Sequence, residues 1–134
     1  MKLENNLYTV LDEKIDGWNA CFTVKLNAAS FIYQAHFPNE PITPGVCIVQ
    51  MGEELIGKLL VANGIKGDVE IDKIKNVKFL SVLTPQNSDA VIYEMKKVSL
   101  SEDSRQVKAQ VIVTSGDELK AKISLVLRIS DVEC

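Results

Sequence analysis

Histidine occurs once in the 134 residues, at position 36. Imidazole is the side chain whose ordinary pKa lets it take and give a proton near neutral pH. His36 sits in Ile32-Tyr33-Gln34-Ala35-His36-Phe37-Pro38-Asn39-Glu40-Pro41-Ile42-Thr43-Pro44-Gly45-Val46, inside a stretch (29–45) that shows no apolar period and holds all but one of the four prolines. Prolines and Gly45 form loops well, and taken alone a histidine is more often a hydrogen-bonded loop or core residue than a catalytic one. Cys21, Cys47 and Cys134 are odd in number and far apart, which suggests neither a disulfide framework nor a zinc site. Cys47 lies in an apolar run and reads as a buried, inert thiol. No metal, flavin or nucleotide motif is visible, so no metal and no cofactor are expected.

The elements around this segment follow from periodicity. Leu7 to Leu11 is a short apolar run, Asp16-Gly17 a turn, and Ala20, Phe22, Val24 and Leu26 alternate with polar neighbours as in a half-buried strand. Gly45 to Ala62 carries helix signals, with Thr43 or Pro44 near its start and Asn63-Gly64 at its end. Its apolar residues cover nearly the whole circumference, so burial on most sides is expected. Strands are expected over Ile74–Leu83, Val91–Val98, about Val107–Val113 and Leu119–Ile129, separated by Pro85-Gln86-Asn87-Ser88-Asp89, Ser101-Glu102-Asp103-Ser104 and Ser115-Gly116-Asp117. Two strands, one apolar helix and about four more strands make an α+β domain with an antiparallel sheet curled around the helix.

Length fits a single domain over residues 1–134 with a real core. The net charge of −3 argues against a nucleic-acid binder. No apolar run approaches the length of a membrane span, and the first residues lack the apolar core of a signal peptide, so a cytoplasmic protein off the membrane is expected.

The segment from His36 to Val46 resembles the H-F-P-G-x-P-x-x-P-G-V signature of FabZ/FabA-type 3-hydroxyacyl-acyl carrier protein dehydratases, with His36, Phe37, Pro38, Pro41, Pro44, Gly45 and Val46 in register. Tyr33-Gln34-Ala35 is similar to the family's aromatic-Gln-Gly, and Lys78-Phe79 with Pro85 and Asp89 to its later K-F and P-G-D. The resemblance covers about residues 18–129 and implies a hotdog fold, a sheet wrapped around a central helix. It implies a homodimer that shares its active sites and acts on thioesters of an acyl carrier protein. It also implies that His36 removes the C2 proton. Phe37, Pro44, Gly45 and Val46 would then bind substrate, with the backbone N–H groups near Gly45 and Val46 stabilising charge on the thioester oxygen.

The sequence departs from the family pattern at one position of chemical weight. The family carboxylate falls fourteen residues after the histidine, where this chain has Gln50, and an amide neither titrates nor donates as an acid does. FabZ-like relatives place a glutamate there and a glutamine four residues on, whereas this chain has Gln50 and then Glu54. Positions i and i+4 share a helix face, so Glu54 is expected either to aim its carboxylate into the site or to pair with Lys58 in solvent. Glu53 falls on a different face and is expected to meet solvent. Phe31, Tyr33 and Phe79 are candidates for lining an acyl tunnel or for the core. Lys73, Lys75 and Lys78 lie among Asp68, Glu70 and Asp72, as in a solvated strand of mixed charge.

Three functions fit these residues. The first is dehydration of (3R)-3-hydroxyacyl carrier-protein thioesters to trans-2-enoyl thioesters in fatty acid or polyketide biosynthesis, with His36 acting beside Glu54 or a water held by Gln50. The second is a non-catalytic hotdog subunit that forms a heterodimer with an active paralogue, as Gln50 suggests. The third is an acyl thioesterase, against which the H-F-P…P-G-V match speaks.

Overall fold

Apolar residues at every second position decide which face of each strand is buried. The computed structural model describes residues 2–35, 39–86 and 90–130. Its strands are β1 (Tyr8–Asp16), β2 (Asn19–Leu26), β3 (Asp68–Phe79), β4 (Val91–Leu100), β5 (Gln106–Ser115) and β6 (Glu118–Ser130), with helices α1 (Phe31–Ala35) and α2 (Gly45–Ala62) between β2 and β3. All described strand pairings are antiparallel, in the order β1-β2-β4-β5-β6-β3. Phe22 and Val24 of β2, Tyr93 and Met95 of β4, Val111 and Val113 of β5, and Ile123, Leu125 and Leu127 of β6 fill one buried face.

Turn chemistry sets the hairpins. Gly17 (φ 61°) closes β1 onto β2, and Gly116 (φ 57°) with Asp117 (φ 63°) closes β5 onto β6. Two successive left-handed residues suit the twist of a tight hairpin.

Helix α2 crosses the buried face of this sheet. At Gly52 a side-chain carbon would lie 3.7 Å from Val111, and the Tyr93 hydroxyl donates to the Ile48 carbonyl at 2.8 Å. Met51, Leu55, Ile56 and Leu59 are fully enclosed, and Cys47 is buried among them. Leu55→Ala is therefore expected to cost about 3 kcal/mol, within the roughly 2–5 kcal/mol of such core truncations. Urea unfolding would check this. Burial extends over most sides of the helix, as its apolar residues lead one to expect. Val46 and Val61, next to the two ends of the helix, are the exceptions at 78% and 69% exposed.

Two elements differ from the sequence expectation. The segment before the site, read as aperiodic, contains the short α1, whose Ile32 and Tyr33 are buried. β3 begins at Asp68 rather than Ile74 and ends at Phe79 rather than Leu83. Register shifts between Ile71 and Lys73 and between Ile74 and Asn76 leave Asp72 and Lys75 out of the ladder, which breaks the period of two. Beyond β3 the chain is held by Lys120, whose backbone carbonyl accepts from Leu80 and whose ammonium donates to the Val82 carbonyl at 3.0 Å.

Candidate active site

Helix α2 begins where Pro44, in extended conformation (φ −60°, ψ 143°), hands over to Gly45. Cys47 and Ile48 turn their N–H groups back to the Pro44 carbonyl. Gly45 and Val46 thus hold the first-turn donors that no backbone carbonyl of their own helix can take up. The ring of Phe79 covers this end: a side-chain carbon at Gly45 would lie 2.8 Å from Phe79 Cζ. A pocket of about 360 Å³ opens there among Ile42, Thr43, Ile48, Phe79 and Leu83. Phe79 is the one tunnel candidate found at this pocket. Tyr33 is a core residue whose hydroxyl meets Thr43 Oγ1 at 2.8 Å, and Phe31 is 52% exposed. His36 and Phe37 lie outside the described residues.

A larger cavity, about 680 Å³, runs along the middle of α2, where Gln50, Glu53, Glu54 and Gly57 meet Ile15 of β1 and Val69 of β3. Three consecutive polar positions of the helix, 50, 53 and 54, therefore open to one space. Gln50 and Glu54 are joined, with Gln50 Nε2 donating to Glu54 Oε2 at 3.0 Å. Gln50 has a further contact besides this one.

Glu54 is the most heavily hydrogen-bonded side chain of the site. Its Oε2 also accepts from the Leu3 N–H at 2.8 Å, and its Oε1 accepts from the Glu4 N–H at 2.9 Å and the Tyr8 hydroxyl at 2.8 Å. A carboxylate has about four lone-pair positions, and four donors fill them. Tyr8 is fully buried, and burial first, then its bond to Glu54, holds its hydroxyl far above the ordinary phenol value. It therefore stays a donor at any working pH. Lys58 does not supply the counter-charge to Glu54 that its i+4 position suggests. It pairs with Glu4 at 3.0 Å. The expectation that Glu54 donates a proton in the site does not fit this arrangement, because every lone pair that would carry that proton is accepting a hydrogen bond.

Glu53 differs in each respect. It is half-buried rather than solvated, and it has no hydrogen-bond or ion-pair partner among the described residues. Burial, then the like charges of Glu54 and Glu70, push its carboxyl above the ordinary glutamate value. It is three residues from Gln50, and i+3 neighbours share a helix face as i+4 neighbours do. That spacing was the signal available in the sequence. Tyr8 and the Leu3–Glu4 backbone left none, since nothing local ties them to residue 54. Among the described residues no group of His, Cys, Asp and Glu is arranged to hold a metal ion, and no helix is long and apolar enough to cross a membrane.

Comparison with known proteins places this geometry. Residues 12–117 match the ApeI-like family model, described as ApeI dehydratase. The chain is 32% identical over 96 residues to the 3-hydroxyacyl-[acyl-carrier-protein] dehydratase FabZ of Thermotoga petrophila, a match covering 72% of this chain and 66% of that protein. It is likewise 32% identical over 94 residues to the FabZ of Thermotoga neapolitana, covering 70% and 66%. The matched part is thus slightly under two thirds of the length of these relatives. Among solved structures, the dehydratase heterocomplex ApeI:P of Xenorhabdus doucetiae superposes with a TM-score of 0.65 at 16% identity, covering 90% of this chain and 96% of that one. A hypothetical thioesterase of Streptococcus pneumoniae with coenzyme A gives 0.67 at 12% identity, covering 95% and 88%. At such identities the two superpositions speak for the fold alone, which is the α+β hotdog fold. With the family match spanning most of the sequence, the chain belongs to the ApeI-like dehydratases, a family of FabZ/FabA type.

Proposed function

We propose that this chain dehydrates 3-hydroxyacyl thioesters of an acyl carrier protein, His36 removing the C2 proton and the C3 hydroxyl leaving as water. One observation carries this reading. The helix that follows the His36–Gly45 segment places Gln50 and two carboxyl groups along a single cavity, so the position of the family acid is still surrounded by proton chemistry. The N–H groups of Gly45 and Val46 would polarise the thioester carbonyl, since donors at a helix start favour developing negative charge. Pro44 fixes that start, and Phe37 and Phe79 would flank the acyl group. Gln50 would hold the departing hydroxyl, donating or accepting without transferring a proton. The homodimer implied by the family is supported by β3, a strand of twelve residues at the end of the sheet order, where a second copy can add to its open side.

Exchange at C2 tests the proposed base directly. In deuterated buffer the wild type is expected to place solvent deuterium at C2 of a 3-hydroxyacyl carrier-protein thioester, and His36→Ala is expected not to. Equal exchange by both proteins would contradict the assignment. A second reading, a non-catalytic subunit paired with an active paralogue, is favoured by Gln50 itself. It requires that the chain alone exchange nothing.

A further inference from the structure

We propose that Glu53 is the general acid of this reaction, handing its carboxyl proton to the C3 hydroxyl as the C3–O bond breaks. The inference rests on the dehydratase reading above and supplies the group which that reading leaves open. His36 takes the C2 proton, and the electron pair left behind becomes the C2–C3 double bond. The hydroxyl takes the proton of Glu53 and departs as water. His36 then holds one proton too many and Glu53 one too few, and solvent returns the difference.

Three observations single out Glu53. It shares the α2 cavity with Gln50, the residue at the family's acid position, one helical turn away. Its neighbour Glu54 is excluded as donor by the four hydrogen bonds it accepts. Its own carboxyl is not engaged by any described residue. The two adjacent glutamates are thereby driven apart. Burial first, then the charges of Glu54 and Glu70, raise the carboxyl of Glu53 above the ordinary glutamate value. Pairs of carboxyls with opposed environments are how one site provides both an acid and a fixed charge. The other charges facing this cavity are Lys2 and Glu4 of the N-terminal segment, Glu13 of β1, Lys58 of α2 and Asp68 at the start of β3. Lys58 is already bound to Glu4, and the positive amino terminus acts on Glu53 in the lowering direction, as the smallest of its causes.

The test is Glu53→Gln, with Glu53→Asp beside it, assayed on 3-hydroxybutyryl carrier protein. Glu53→Gln is expected to lower kcat by about 100-fold or more, the usual yield of a positioned acid, and to leave KM within about twofold. Its melting temperature should not fall, because no described residue gives up a hydrogen bond or ion pair with Glu53. The wild type is expected to show a bell-shaped pH profile of kcat/KM, and Glu53→Gln only one limb of it. Glu53→Asp, which keeps the acid on a shorter arm, should recover part of the rate. Wild-type kcat with both limbs intact in Glu53→Gln would overturn the assignment while leaving the dehydratase reading in place. No turnover by the wild type would overturn both.

Discussion

Replacing His36 by alanine is expected to lower kcat/KM for dehydration by about 10²–10⁴-fold, the range for loss of a positioned base. The C2 proton beside a thioester is weakly acidic, so its removal needs a base and a polarised carbonyl at once. In the proposed mechanism the N–H groups of Gly45 and Val46 would still polarise the carbonyl without His36, so some rate should remain. No other histidine exists in the chain to take over. The thermal midpoint of His36→Ala should stay near wild type if the residue acts in chemistry rather than in packing. Steady-state kinetics and a melting curve on the same preparation separate the two. A fall in both would make His36 a structural residue of the proline-rich loop.

Glu54→Leu is expected to be the most damaging substitution for stability on this side of α2. The change leaves the Leu3 and Glu4 N–H groups, the Tyr8 hydroxyl and the Gln50 amide without their shared acceptor. An unsatisfied donor away from water costs about 1–3 kcal/mol. Partial exposure lets water recover some of that, so a total on the order of 3 kcal/mol is expected. Tyr8→Phe removes one donor and should cost only about 1 kcal/mol. Urea unfolding of the two variants gives the ratio. A loss in Glu54→Leu no larger than in Tyr8→Phe would mean that the carboxylate does not hold the N-terminal segment. Glu54→Gln adds a functional readout. It withdraws the fixed negative charge beside Glu53, so Glu53 should ionise at lower pH and the limb of the activity profile that it governs should move in the acid direction.

The parts of the molecule legible in the sequence are those governed by short-range period and turn chemistry. The alternation in 20–26 and 119–129 emerged as β2 and β6, and Gly45 to Ala62 is a helix with the expected ends. β3 was half hidden because two bulges interrupt its alternation. The burial of α2 on most sides follows from its apolar circumference, with Val46 and Val61 beside its ends left exposed. At the site, position 50 and the start of α2 were legible from the motif, which fixes register along the chain. What occupies Glu54 was not, because its donors come from Leu3, Glu4 and Tyr8, roughly fifty residues away, and long-range partners leave no local pattern. Periodicity places Glu53 toward solvent when only the i+4 relation to Gln50 is followed, although i+3 lies on the same face.

The mass of the carrier protein after incubation with the purified chain alone is the most direct measurement. With 3-hydroxybutyryl carrier protein as substrate, the expected result is loss of one water with the acyl group retained, and the reverse addition when crotonyl carrier protein is supplied. Loss of the whole acyl group would identify a thioesterase and contradict the dehydratase reading. An unchanged mass at several chain lengths would contradict it as well, and would make this chain the silent partner of a subunit that carries the missing carboxylate at the position of Gln50.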